Sequence, residues 1–383
     1  MPPIMGAAAF LMAEYIGIPY AQVAVKAILP AILYFTGIFI SVHLEAKKLG
    51  LNGIPRDQLP KWRLLARDCY LILPLILLVW LVSSGAKTMS HSAAYSILAA
   101  IAVGLINFFT LRLRDTQTHT LRTVGKAAFS AAGDSAKSVF DSLEAGAKGA
   151  ITVAVACAMA GIIAGCITVT GLASILINAV VQLAGNATFI GLILTMICCI
   201  ILGMGMPVPA AYVLTATLAA PALLEFKFSL MSAHLFIVYF SAISAITPPV
   251  AVAAYAAAGI SEGDPNATGV QAVRLAVAAY IVPFVFMYRP ALILDGSLPE
   301  ILWTAVVATA AVYSFASGLE GYLHGRLRFP LRLALMAAGV VFVWPDTWAD
   351  LTGFAILGAV TAHQYAIRKN NPDPVCLAQP QGE

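Results

Sequence analysis

Two short stretches decide how this chain folds: GMGMPVPAA at residues 203–211 and SAITPP at residues 244–249. Each interrupts a run of apolar residues that would otherwise continue as one helix. Proline removes a backbone N–H donor and its ring clashes with the preceding turn, whereas glycine favours conformations outside the helical region. We therefore predict that each stretch separates two helical segments.

Both interruptions lie in segments without charge, because no Asp, Glu, Lys or Arg occurs at 149–224 or at 228–261. The chain of 383 residues is 61% hydrophobic and 10% charged, whereas a soluble domain has about 25% charged residues. A membrane helix needs about 20 apolar residues. The sequence therefore predicts an all-α polytopic membrane protein in a lipid bilayer. Its net charge of +4 is too small to indicate a nucleic-acid partner.

The basic residues concentrate in two loops that we place on the cytoplasmic side by the positive-inside rule. These residues are Lys47, Lys48, Arg56, Lys61, Arg63 and Arg67 in the first loop and Arg112, Arg114, Arg122 and Lys126 in the second. Near the C-terminus the rule is harder to apply. Arg289 and the cluster Arg326, Arg328 and Arg332 fall on opposite sides if each span crosses once, so the topology of the last spans stays open.

The second interruption has a counterpart at the start of the chain. A shift of 246 positions places Pro2 and Pro3 on Pro248 and Pro249, and both pairs precede small apolar residues. Corresponding Gly/Pro-interrupted segments in two halves of a membrane protein indicate the binding site of a secondary transporter. The alternative of simple structural kinks is less favoured, because two long interruptions lie close together in charge-free sequence.

A broken membrane helix exposes backbone groups that can bind ions. Carbonyl groups at the end of one half-helix can coordinate Na⁺, and N–H groups that open the next attract an anion. Gly203, Gly205 and Thr247 are the candidate ligands for Na⁺ as a coupling ion, with H⁺ as the open alternative, and no other cofactor is predicted. The predicted substrate and ion site comprises Gly203, Gly205, Met206, Pro207, Ser241, Ser244, Thr247, Pro248, Pro249, Pro2 and Pro3.

Three quoted stretches resemble one family. MPPIMGAAAFLMAEYIGIPY (1–20), ILGMGMPVPAAYVLTATLAAPAL (201–223) and HLFIVYFSAISAITPPVAVAAYAAAGI (234–260) are similar to the DctM-like large subunit of TRAP (tripartite ATP-independent periplasmic) transporters, in the fused, TAXI-type permease form. The family often has two threonines where Val208 and Pro209 stand here, so hydroxyl ligands at those two positions are not expected.

The resemblance implies an elevator-type transporter half with a re-entrant hairpin and discontinuous helices. It implies import of a small organic anion, a carboxylate, driven by a Na⁺ or H⁺ gradient across the bacterial inner membrane. A periplasmic substrate-binding protein would deliver the substrate. In the family a hairpin and a half-helix precede the stretch at residue 1. We therefore expect a C-terminal part of a permease, with an N-terminal permease half or a small membrane subunit as partner.

Five regions follow from these observations. Residues 1–20 are the second half of a first-repeat discontinuous helix, 21–147 hold scaffold-type spans and a surface helix (119–147), 148–260 form the second-repeat transport region, 261–367 hold the C-terminal spans, and 368–383 are a polar tail. We expect the span after residue 20 at about 21–43 and the last one at about 349–366.

Three other functions are alternatives to a transporter. An intramembrane enzyme needs a nucleophile–base pair, a carboxylate dyad or a metal motif, but segment 149–224 contains no His, Asp or Glu. The six cysteines show no metal-ligand spacing. We therefore predict that the protein is not an enzyme. A channel is less favoured than alternating access, and a truncated, non-transporting membrane subunit is the main alternative.

Overall fold

The computed structural model describes residues 7–51, 68–84, 89–115, 137–148, 169–185 and 187–370, together with scattered positions at 53–66 and 150–167. Regular secondary structure in these residues is helical. The α-helices are α1 (Ala7–Ile16), α2 (Tyr20–Lys26), α3 (Ile28–Leu49), α4 (Leu73–Ser83), α5 (Met89–Asp115), α6 (Leu172–Ala184), α7 (Thr188–Gly203), α8 (Val208–Glu225), α9 (Leu230–Ile243), α10 (Val252–Ser261), α11 (Pro265–Leu275), α12 (Val277–Tyr288), α13 (Leu298–Glu320), α14 (Phe329–Val341) and α15 (Thr347–Asn370). Residues 137–148 are also helical, and short 3₁₀ segments occur at Asp68–Ile72, Ser244–Ile246 and Pro290–Ile293.

Several of these helices are long and apolar enough to cross a bilayer. Among the described residues there are five, or six if the bent pair α1–α2 forms one span. They are α3, part of α5, α8, the pair α11–α12 and α13. The prediction of an all-α polytopic membrane protein is confirmed.

The helices form two packed groups. In the first group α8 lies against α6, α7 and α9, and in the second α13 lies against α3, α12 and α14. The groups meet where α9 packs on α12, with the rings of Phe236 and Phe240 against Phe284. Helix α9 is buried along most of its length, as expected for a helix that is apolar all round.

The internal repeat extends beyond the two proline pairs. The bounds of α10 are those of α1 displaced by 245 positions at both ends, one position less than the shift between the proline pairs. The start of α11 is displaced from that of α2 by the same 245 positions. Each pair is then followed by a longer apolar helix, α3 or α12. Pro2 and Pro3 lie outside the described residues.

Some predicted bounds differ from the structure. The expected span at 21–43 is divided at Ala27 into α2 and α3, and α2 is bent by 114° relative to α1. The last helix runs to Asn370 rather than ending near residue 366. Of the surface helix expected at 119–147, the described part (137–147) is helical. Residues 371–383 of the predicted tail lie outside the described part of the chain.

The sequence suggested that Arg289 marks one side of the membrane, but the structure places this residue inside the protein. Its guanidinium is 8% exposed and forms a bidentate ion pair with Asp350, at 2.6 Å and 3.2 Å. A second contact runs to the backbone carbonyl of Trp344. A charge that is neutralised inside the protein carries no information on loop orientation, so the apparent conflict with the later arginines is removed.

Candidate functional site

The first interruption is a tight turn between α7 and α8. Helix α7 ends at Gly203 and α8 begins at Val208, so only residues 204–207, the hairpin tip, are non-helical. The sequence predicted a longer interruption, to residue 211. That boundary was wrong because Pro207 is the N-cap and Pro209 lies in the first helical turn, where a missing N–H costs nothing.

The second interruption is longer than the sequence predicted. After α9, residues 244–251 form a 3₁₀ turn and a non-helical segment, the helix break, before α10 begins at Val252. Prediction placed the restart at residue 250. The restart comes later because Ala251 has a positive φ of 30° and its N–H donates to the Thr247 carbonyl at 3.1 Å.

The hairpin tip and the helix break contact each other. A Cβ atom built on Gly203 would lie 2.6 Å from the hydroxyl oxygen of Ser244, which is too close for any side chain. Gly205 adopts φ 75°, a left-handed conformation that glycine accepts without strain, and a Cβ there would lie 3.5 Å from Val250. Two interruptions separated in sequence therefore form one site.

Hydroxyl groups line the buried side of this site. The hydroxyls of Ser241 and Thr215 are 2.8 Å apart and link α9 to α8. Ser244 donates to the Ser241 carbonyl at 2.7 Å. Thr247 donates to the Ile243 carbonyl at 2.8 Å, and its oxygen lies 3.2 Å from the hydroxyl of Tyr280 on α12.

Thr215 and Tyr280 are site residues that sequence reasoning missed. Each lies inside a helix that looks uniformly apolar, and neither stands in an interruption. A search for hydroxyls one or two turns from each break would have found Thr215. No local pattern indicates Tyr280, because its contact with Thr247 depends on how α12 packs.

The predicted site residues differ in solvent exposure, so the site has a buried side and an exposed side. Gly203, Ser241 and Ser244 are buried, whereas Gly205 and Pro249 are exposed. The remaining described members are partly buried: Met206, Pro207, Thr247 and Pro248. The site therefore opens on the side of Gly205 and Pro249. The two other predicted members, in the first proline pair, lie outside the described residues.

Four helix ends meet around this opening. Helices α7 and α9 end here, so carbonyl groups and the negative ends of two helix dipoles face it. Helices α8 and α10 begin here, with N–H groups and positive dipole ends. The site can attract a cation and an anion without any charged side chain.

The element that follows the first proline pair lies beside this site. Helix α1 packs against both α8 and α9. Its inward face consists of small or flexible residues that are almost completely buried: Ala8, Ala9, Met12 and Ala13. Small residues allow two membrane helices to approach closely. The small apolar residues that follow the first proline pair therefore also serve to pack α1 against α8 and α9.

Broken helices that meet within a polytopic helical protein are typical of secondary transporters. The model of one protein family, described as "Tripartite ATP-independent periplasmic transporter, DctM component", matches residues 1–301. The chain belongs to this family. No curated protein and no solved structure matches it. It is therefore a permease component of a TRAP transporter and not an enzyme, and TRAP transporters work with a periplasmic binding protein and a small membrane component.

Proposed function

We propose that the hairpin tip and the helix break bind a small organic anion, a carboxylate, together with the cation whose gradient drives its import. The observation that carries this proposal is the contact of Gly203 with Ser244, because it joins the two interruptions. A non-helical backbone inside a bilayer persists only where it is buried in protein or lines a polar cavity.

The anion is held by backbone groups. Helices α8 and α10 begin directly after the hairpin tip and the helix break, and no Arg or Lys lies in segments 149–224 or 228–261. Helix N-termini favour negative charge by about 0.3–1 kcal/mol each at exposed positions, and by more where partly buried. The substrate carboxylate is thus bound by N–H and hydroxyl donors instead of an arginine.

The coupling cation is Na⁺, bound by carbonyl oxygens of Gly203 and Gly205 and by the Thr247 hydroxyl. Hard cations prefer such oxygen ligands. The Thr247 proton is used in its bond to Ile243, so its oxygen accepts from the Tyr280 hydroxyl with one lone pair and has the other for a cation. Binding one cation beside one anion also offsets the charge of the substrate in the membrane interior.

The protein works in the bacterial inner membrane, and a periplasmic binding protein delivers the substrate to the side on which the site opens. The small membrane component of the TRAP transporter is its partner within the membrane. The fused, TAXI-type arrangement is part of this proposal.

Uptake by the complete transporter in proteoliposomes tests the proposal. Gly205→Val should abolish Na⁺-driven uptake of the organic anion without preventing membrane insertion, because valine cannot adopt the left-handed conformation without strain. Gly171→Val is the matched control, since Gly171 has a similar φ of 72° with no atom within 4 Å of a built Cβ. Full uptake by Gly205→Val would refute the site. Absence of uptake in the unchanged transporter would favour a non-transporting subunit.

A further inference from the structure

A group of four charged side chains lies away from the transport site, where three helices meet. Glu45 and Lys48 belong to the last turns of α3, Arg274 to the last turn of α11, and Glu320 ends α13. Helix α3 packs against both α11 and α13. Helix α11 directly follows α10, the second half of the broken helix. The charged cluster therefore connects helices α10 and α11 to α3 and α13.

Each cation in the cluster pairs with one carboxyl group. Lys48 donates to Glu45 Oε2 at 2.9 Å, and Arg274 donates to Glu320 Oε2 at 2.8 Å. Arg274 also donates to the side-chain oxygen of Gln271 at 3.1 Å. The four formal charges sum to zero, and two carboxyl oxygens, one on each glutamate, remain outside these ion pairs.

The second oxygen of Glu320 is in an unusual position. The Glu320 side chain is completely buried, and among the described residues no donor reaches its Oε1 atom. Helices α3 and α13 pack together, and the carboxyl of Glu45 lies close enough to that of Glu320 to interact with it. Two ionised carboxylates can only accept hydrogen bonds, so such a contact is repulsive unless a proton lies between them.

We propose that Glu45 and Glu320 bind one proton between their carboxyl groups, and that this proton holds α3, α13 and α11 together. The charged groups that act on the pair are Lys48 from α3 and Arg274 from α11. Arg332 on α14 is occupied with the backbone carbonyls of Gly318 and Leu319. Helix α3 leads into the first basic loop, which the sequence predicts to be cytoplasmic, so the proton would exchange with that side.

A proton fits this position better than a metal ion. Metal cations of the hard type take about six or more oxygen ligands, whereas the other oxygen of each glutamate already accepts from Lys48 or Arg274. Among the described residues, no group of three or more His, Cys, Asp or Glu side chains is placed to hold a metal ion. Loss of the proton would leave two anions in contact, one of them buried, and would loosen the three-helix junction.

Glutamine at either position imitates the protonated acid. In Glu320→Gln the amide oxygen can accept from Arg274 while the amide N–H₂ donates permanently to Glu45. The unchanged full-length protein in detergent should therefore show a carboxylic-acid C=O band that titrates in infrared difference spectra, and its melting temperature should fall as the pH rises through that titration. In Glu320→Gln the band should disappear and most of the pH dependence of the melting temperature should be lost.

Glu45→Gln is a second variant, because Glu45 is partly exposed and less critical for folding; it should also remove the band. Glu225→Gln, at an exposed carboxylate on α8, is the control and should keep both the band and the pH dependence. A band that persists in both glutamine variants would overturn the proposal. Loss of the band on addition of Na⁺ at constant pH would overturn it too, because the pair would then bind a metal cation. The spectra do not depend on which ion drives transport, so they test this site separately from the transport site.

Discussion

Gly203 and Ser244 are in contact: a Cβ on Gly203 would lie 2.6 Å from the Ser244 hydroxyl oxygen and 3.0 Å from its Cβ. Real side chains do not approach so closely. A Cβ at position 203 would therefore force the Ser244 hydroxyl to move, although that hydroxyl is held in place by its bond to the Ser241 carbonyl. The site depends on the absence of one side chain.

Gly203→Ala should lower transport strongly. Inserting a methyl group into a packed region costs about 1–3 kcal/mol, and a loss of ~1.4 kcal/mol in transition-state stabilisation is about tenfold in rate. Initial uptake rates in proteoliposomes should therefore fall by about tenfold or more. Gly259→Ala is the control, because Gly259 on α10 has no atom within 4 Å of a built Cβ.

A double substitution tests why Gly203→Ala lowers transport. The cause is either a steric conflict with Ser244 or a general disturbance of the α7–α8 hairpin. Ser244→Gly removes both atoms that a methyl group at position 203 would meet. The combination of Gly203→Ala with Ser244→Gly should recover part of the uptake lost in Gly203→Ala alone. If the double variant transports no better than the single one, the contact does not explain the defect.

The hydroxyl contact between Thr247 and Tyr280 should affect cation binding. Thr247→Val keeps the shape and removes the oxygen, so the Na⁺ concentration for half-maximal uptake should rise. Tyr280→Phe removes only the partner hydroxyl. Hydrogen bonds between membrane helices contribute about 0.6–1.7 kcal/mol, so a rise of roughly 3–20-fold is expected for Tyr280→Phe.

The control for this pair is Thr309→Val on α13, where the hydroxyl only donates to a carbonyl of its own helix. It should leave the Na⁺ response unchanged. An unaltered Na⁺ dependence in Thr247→Val would remove Thr247 from the proposed cation site, whatever the result for Tyr280→Phe.

The sequence located both interruptions because proline and glycine act on their own backbone. Their exact extent was less readable, since Pro207 and Pro209 are compatible with the start of a helix, and this shortened the first interruption. The contact between the interruptions is a matter of packing, as are the roles of Thr215 and Tyr280. Only Thr215 leaves a local signal, as a hydroxyl within two turns of a break.

The ion pair of Arg289 is another contact that the sequence could not reveal. A sequence rule assigns every arginine near a span end to a loop, but the partner of Arg289 lies 61 residues further along the chain. The repeat was recognised from two proline pairs, and the structure extends it to the helices that follow. Helices α1 and α10 have the same length of 10 residues although their side chains differ, so the structural relation is clearer than the sequence relation.

Asp350→Ala should destabilise the protein by about 3–5 kcal/mol, because it leaves the buried guanidinium of Arg289 without its partner. It also removes the acceptor of the Trp303 indole N–H, at 3.0 Å. Unfolding in denaturant, followed in detergent, measures this loss. Glu144→Gln, in an exposed ion pair with Lys148, should cost less than about 1 kcal/mol. Replacing both partners, as Arg289→Met with Asp350→Leu, should recover most of the stability, and a double variant as unstable as Asp350→Ala would show that packing, not the unpaired charge, causes the loss.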